Sequence, residues 1–84
     1  MSAEGLPLSQ RQLSLAPLLA QGLSVAGMAH RLGLSIHTID KHIRALHLKL
    51  SCSNRAELVA RLYFLKVLDA NDWPPALSDG YRGT

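Results

Sequence analysis

Apolar residues recur at helical spacing in four segments of the chain, most clearly in its middle. There they are separated alternately by three and four residues, a period that predicts a helix with one apolar stripe facing a core. The stripe consists of Ile36, Ile39, Ile43, Leu46 and Leu50. The opposite side of this predicted helix carries His37, Asp40, Lys41, Arg44, Ala45 and Leu48.

A shorter predicted helix, Val25 to Leu32, precedes this one and is joined to it by a tight turn. Ser24 and Ser35 stand just before the two helices, where a hydroxyl can accept a bond from an unpaired N–H of the first turn. Gly33 follows the shorter helix, at the place where a left-handed residue commonly ends one. Two helices joined by a short glycine-containing turn form the helix-turn-helix pattern, whose second helix enters the DNA major groove.

Two further helices flank this pair. The first begins after Ser9, which has the capping-box spacing with Gln12, and Pro17 inside it predicts a kink. The fourth is predicted over 55–68 with Asn54 as its N-cap. It has more apolar residues than one side of a helix can bury, so we expect a homodimer contact through it. The alternative is that the C-terminal tail covers this helix within one subunit.

These elements predict an all-α, four-helix domain. Residues 1–7 are interpreted as a lead-in, 8–68 as the domain and 69–84 as a tail that Trp73 or Tyr81 anchors, with packing on the parent domain favoured over docking on a partner. The length of 84 residues and the apolar fraction of 48% suit one small folded domain.

Targeting signals are not apparent in the sequence. No apolar run approaches the roughly 18–20 residues that span a bilayer, and Met1 to Gly5 lacks the pattern of a signal peptide. Cys52 is the single cysteine, so an intrachain disulfide is excluded. We therefore expect a cytoplasmic protein that makes no membrane contact.

The charge favours a polyanionic partner. The whole chain carries +3, but Ser9 to Leu68 holds eight Lys and Arg against two acids, a net charge of +6. The remaining acids lie in the flanks. A basic folded unit with acidic ends fits nucleic acid, although an ordinary solvated surface gives the same count.

Catalytic and metal chemistry lack support in the sequence. His37, His42 and His47 are five residues apart, so they fan around their helix and do not form a metal-binding pair at i and i+4. Cys52 is interpreted as a packing residue. Neither a nucleophilic triad nor a glycine-rich phosphate loop is present. We expect a protein that is not an enzyme and has no cofactor or metal.

The run from Leu8 to Arg61 closely resembles the LuxR-type (GerE-like) DNA-binding domain of bacterial regulators. The matching segments, which align without a gap, are Leu8–Arg11, Ala20–Ser24, Met28–Ser35, Thr38–Ile39, His42, Lys49–Leu50 and Ser53–Glu57. The resemblance implies a four-helix fold and sequence-specific binding of double-stranded DNA as a dimer. Its recognition helix corresponds to residues 35–50.

The resemblance also implies roles for individual residues. Contacts to DNA bases are expected at Asp40, Lys41, Arg44 and Ala45. Contacts to the DNA backbone are expected at Ser35, Thr38, Lys49, Ser53, Asn54 and Arg55, and His37 is close enough to the helix start to approach a phosphate. The dimer interface is expected at Leu58, Arg61, Leu62 and Leu65.

Several positions depart from the family pattern and support a second hypothesis. Val25-Ala26-Gly27 stands where Asn-Lys-Glu is common, and Asp40 stands where a lysine enters the groove. Both changes lower the positive charge available to phosphates. The alternative is therefore a protein-interaction module that modulates another regulator through helix 55–68 or the Trp73 tail. The residues do not decide between a free-standing regulator and the C-terminal domain of a longer one.

Overall fold

The structure is a computed structural model that describes residues 8–79. It contains four α-helices: α1, Gln10–Ala20; α2, Val25–Leu32; α3, Ile36–Leu50; and α4, Arg55–Phe64. Helix α3 packs against the other three helices, and α1 also packs against α4. The predicted all-α, four-helix fold is confirmed. In the described part of the chain, no helix has the length and apolar character needed to cross a membrane.

The start of α1 has the predicted capping box. The Ser9 hydroxyl accepts a hydrogen bond from the Gln12 backbone N–H at 3.1 Å, and Gln12 Oε1 accepts one from the Ser9 N–H at 2.9 Å. Leu8 and Leu13, on either side of this cap, are buried. Helix α1 continues through Pro17 without interruption, and the Pro17 carbonyl accepts a bond from Gln21 N–H.

The helix-turn-helix forms as predicted. Gly33 ends α2 with φ of 67°, a left-handed conformation that glycine adopts without the steric cost of a Cβ. Its N–H donates to the His30 carbonyl, and the next N–H, of Leu34, donates to the Ala29 carbonyl. Ser35 then caps α3 by accepting a hydrogen bond from the Thr38 N–H. The turn thereby joins two capped helix ends.

Helix α3 attaches to the core through a narrower stripe than the sequence predicts. Ile39, Leu46 and Leu50 are buried. Ile43 is half-buried, and Ile36 is 54% exposed, so its assignment to the core stripe is wrong. Ile36 is the first residue of the helix, so the buried stripe of α3 begins one turn later, at Ile39.

Helix α4 ends earlier than predicted, at Phe64 instead of residue 68. Lys66 adopts a left-handed backbone conformation with φ of 62°, which turns the chain away from the helix axis. The N–H groups of Val67 and Leu68 both donate to the Leu62 carbonyl, and their side chains are buried. The apolar residues after Phe64 therefore extend the core of the domain and do not lengthen α4.

Part of the predicted tail packs against the domain. Leu68 and Leu77 form an isolated antiparallel bridge, supported by a 3.0 Å hydrogen bond from Ser78 N–H to the Val67 carbonyl. The Gln21 amide also donates to the Pro75 carbonyl at 3.2 Å. This docking uses Pro75 and Leu77 and not the aromatic residue that was expected to anchor the tail.

The expected packing of Trp73 on the domain is wrong, because its side chain is 86% exposed. Pro75, two residues later, is buried instead. The second expected anchor, Tyr81, and the predicted lead-in over residues 1–7 lie outside the described residues.

Candidate nucleic-acid interface

One side of α3 forms a concave surface away from the core. Its lining residues are the ones that helical periodicity places opposite the buried stripe: His37, Asp40, Lys41, Arg44, Ala45 and Leu48. We call this set the α3 face. All four residues predicted to contact bases, Asp40, Lys41, Arg44 and Ala45, belong to it, and so does His37, predicted to approach a phosphate.

The α3 face combines hydrogen-bond donors with one acceptor. Lys41 and Arg44 are exposed cations, and the exposed Asp40 carboxylate is the acid among them. Arginine and lysine can donate to the O6 and N7 atoms of guanine, and a carboxylate can accept from the N4 amino group of cytosine. With His37 neutral, the face carries a net charge of +1. This chemistry suits discrimination between bases better than strong attraction to phosphates.

The start of α3 offers one free hydroxyl proton at most. Ser35 Oγ accepts the Thr38 N–H at 3.0 Å, and the Ser35 and Thr38 hydroxyls lie 2.8 Å apart. One hydroxyl donates to the other, so the pair retains a single proton for an outside acceptor. The two predicted backbone contacts at Ser35 and Thr38 therefore share one donor.

Lys49 lies at the other end of α3 and is tethered to α1. Its Nζ donates to Gln12 Oε1 at 2.9 Å. Gln12 is buried, and the same oxygen atom also accepts the Ser9 N–H of the α1 capping box. Lys49 was predicted as a contact to the DNA backbone, and its ammonium group is held beside the start of α1.

Ser53 and Asn54, also predicted as backbone contacts, participate in capping α4. Asn54 Oδ1 accepts the Glu57 N–H at 2.8 Å, and Glu57 Oε1 accepts the Ser53 N–H at 2.6 Å. The backbone N–H of Ser53 is thus already paired with a carboxylate. Neither residue lines the α3 face.

Arg55 was predicted as a backbone contact, and the structure gives it a role within the fold. Its Nη2 donates to the carbonyl oxygens of Leu19 and Leu23, at 3.0 and 2.5 Å. These bonds join the start of α4 to the end of α1 and to the loop before α2. Because the residue is half-buried and bound to these carbonyls, it is not an exposed cation of the α3 face.

The predicted dimer interface is corrected in two of its four residues. Leu58 and Leu62 are completely buried in the core of their own chain, so they are not available to a second copy. Arg61 and Leu65 are half-buried. The side of α4 that faces outward instead carries Ala56, Ala60 and Phe64, spaced by four residues, with Phe64 80% exposed.

Leu48 is a residue of the α3 face that the sequence-based assignment of base contacts omitted. Its side chain is 82% exposed. Helical spacing placed it on the same side as Arg44, one turn away, and that signal could have identified it. The same signal applies to Phe64, which lies four and eight residues after Ala60 and Ala56 on the side of α4 opposite the buried Leu58 and Leu62.

His47 and Cys52 make hydrogen bonds within the fold near the end of α3. His47 Nδ1 lies 3.2 Å from the Cys52 carbonyl oxygen, and the Cys52 thiol donates to the Leu50 carbonyl. Burial raises the pKa of the Cys52 thiol; the nearby charge of Arg61 acts in the opposite direction and that of Glu57 in the same direction. Cys52 packs against the core, as predicted. Among residues 8–79, no three His, Cys, Asp or Glu side chains are grouped closely enough to hold a metal ion.

Comparison with known proteins places this helix-turn-helix in a family. The model of "Bacterial regulatory proteins, luxR family" matches residues 6–62. The chain is 42% identical over 57 residues to the transcriptional regulatory protein UhpA of Escherichia coli (strain K12), which covers 68% of this chain and 29% of UhpA. It is also 42% identical over 53 residues to the HTH-type transcriptional regulator MalT of Vibrio cholerae, covering 63% of this chain and 6% of MalT.

The matched region contains all of α1, α2 and α3 and α4 as far as Leu62. The chain spans less than a third of the length of these relatives, so the likeness concerns one part of each of them. The expected resemblance is confirmed, and this chain belongs to the luxR family of bacterial regulatory proteins.

Proposed function

We propose that the chain is a non-enzymatic transcriptional regulator, or the DNA-binding part of one, that reads double-stranded DNA with the α3 face. The observation that carries the proposal is the convergence of Lys41 and Arg44 on the outer side of the second helix of a helix-turn-helix. In this motif the second helix lies in the major groove. The names of the relatives, which are transcriptional regulators, support the same function.

Contacts to phosphates would position α3 in the groove. The hydroxyl proton left by the Ser35–Thr38 pair lies at the N-terminus of α3, where the helix dipole also favours an anion. Lys49, beside the start of α1, supplies a cation at the opposite end of α3. We retain Ser35, His37, Thr38, Lys49, Ser53 and Asn54 as proposed backbone contacts. Arg55 stays in this set as a residue whose Nη2 is already bonded within the fold.

The first experiment measures binding of the purified chain to random-sequence duplex DNA by fluorescence anisotropy at two salt concentrations. We expect a Kd of about micromolar. The affinity should decrease as the salt concentration increases, because each neutralised phosphate releases counterions. A site would then be selected from the same pool. A folded chain that fails to bind any duplex at low salt would contradict the proposal.

Asp40 provides a test against the second candidate, an interaction module without DNA affinity. Asp40→Lys should change which sequences are selected if the α3 face reads bases, because a donor replaces an acceptor at one position. A module that never reads bases would gain only non-specific affinity, with no new preferred sequence. Asp72→Lys, an equal charge change at an exposed position after α4, is the matched control. It should leave the selected sequence unchanged.

We further propose that two copies associate through the outward side of α4. Phe64 is exposed there, and Ala56 and Ala60 are small enough to let a second helix approach closely. Phe64→Asp should therefore shift the chain toward the monomer in sedimentation experiments. Trp73→Asp, a change at an equally exposed aromatic residue outside α4, is the control. If only the Trp73 variant became monomeric, the tail and not α4 would form the contact.

A further inference from the structure

Leu48 is the larger of the two apolar residues of the α3 face, the other being Ala45. Its side chain is 82% exposed, whereas Leu46, two residues earlier on the same helix, is completely buried. A single exposed leucine requires no explanation by itself. Its position does, because it lines the same concave surface as Lys41, Arg44 and Ala45.

The position of Leu48 along α3 extends the proposed reading surface by one turn. It lies four residues after Arg44, about 6 Å along the helix axis. At about 3.4 Å per base pair, this distance corresponds to roughly two base-pair steps for a helix that follows the groove. On such a path Leu48 would face a different base pair from the one that Arg44 reaches.

The chemistry of the major groove limits what an exposed leucine can recognise there. Guanine, cytosine and adenine present hydrogen-bond donors and acceptors, and thymine adds an apolar group, its C5 methyl. A leucine cannot hydrogen-bond to these donors and acceptors. Covering the thymine methyl group is favourable, because it removes apolar surface from water. The deoxyribose and phosphate walls of the groove, in contrast, do not differ between sequences.

We propose that Leu48 is a specificity residue that contacts a thymine methyl group, about two base pairs from the base read by Arg44. This inference rests on the proposed function of the α3 face. Leu48 and Arg44 together would require a site in which a guanine and a thymine stand at this spacing in each half-site. The apolar contact adds discrimination without adding charge.

The test removes the methyl group from the DNA. A duplex site selected from a random pool is prepared with deoxyuridine in place of thymine, one position at a time, and affinities are measured by anisotropy. Wild type should lose about fourfold in affinity at one position per half-site, since each buried methyl-sized group contributes about that factor. Leu48→Ala should bind the thymine and deoxyuridine sites equally well at that position. Ile36→Ala, which removes an exposed apolar side chain outside the α3 face, should keep the wild-type difference.

Two results would overturn the inference. Wild type could bind all deoxyuridine sites as tightly as the thymine site, or Leu48→Ala could retain the full fourfold loss. The first comparison uses wild-type protein, so it does not depend on the folding of a variant. Failure of the proposed function would give a different result, because wild type would then bind no duplex at all. In that case this inference would fail as well.

Discussion

Leu46→Ala is expected to lower the free energy of unfolding by about 2–5 kcal/mol, the usual cost of removing a completely buried leucine side chain. Small domains have total stabilities of about 5–15 kcal/mol, so this variant should be partly unfolded in mild denaturant. Leu46 joins α3 to the core, and its loss also removes the support that orients the α3 face. Urea denaturation followed by circular dichroism measures the change.

Leu48→Ala is the matched control for this prediction. It removes the same side chain from the same helix, two residues away, but on the exposed side. Its effect on stability should stay within about 0.5 kcal/mol. Equal losses in the two variants would mean that α3 does not pack against the core through the Ile39, Leu46 and Leu50 stripe.

Arg44→Gln is expected to reduce affinity for a selected DNA site by about 5- to 150-fold, which corresponds to the 1–3 kcal/mol carried by a good bidentate contact to a base. We expect Arg44 to make such a contact because it belongs to the α3 face and its side chain is exposed. Affinity for random duplex should fall much less. Anisotropy titrations against both DNAs measure the ratio.

Lys41→Gln tests the neighbouring cation, and Lys66→Gln is its matched control. Lys66 is also an exposed lysine, but it follows the end of α4 and does not line the α3 face. If Lys41 contacts a base, its loss should alter the preferred sequence. If it contacts a phosphate, affinity should fall by the same factor for all sequences. The slope of log affinity against log salt concentration should then decrease in magnitude by about one. An equal loss of affinity in the Lys66 variant would contradict the placement of the interface on α3.

The helix-turn-helix was predictable because its signals are local. Ser24, Gly33 and Ser35 fix the ends of α2 and α3 through caps and one left-handed residue, and these depend only on neighbours along the chain. The α3 face was predictable for the same reason. Its residues follow from the periodicity of the buried stripe opposite to them.

The end of α4 and the packing of the tail could not be predicted from local signals. The left-handed residue just beyond the end of α4 is Lys66. A glycine or asparagine at this position would have indicated the end of the helix, but a lysine does not. Its conformation is stabilised by tertiary contacts, namely the burial of Val67 and Leu68 and the bridge to Leu77. Because these contacts are tertiary, the apolar periodicity alone predicted a helix that continued to residue 68.

Arg55 shows what resemblance alone does not reveal. A basic residue near a proposed DNA surface has the right chemistry for a phosphate contact. Its guanidinium group in fact donates to the carbonyl groups of Leu19 and Leu23, more than thirty residues earlier in the sequence. Sequence spacing does not indicate which carbonyls lie beside it.

The central claim is that α3 is the surface that contacts DNA, and an NMR titration tests it most directly. The ¹⁵N-labelled chain would be titrated with a duplex from the selected pool while backbone amide shifts are followed. The largest changes are expected along α3, from His37 to Leu48, and at the Ser35 cap. Large changes confined to α4 and the Trp73 segment, with α3 unchanged, would contradict the claim and favour an interaction module.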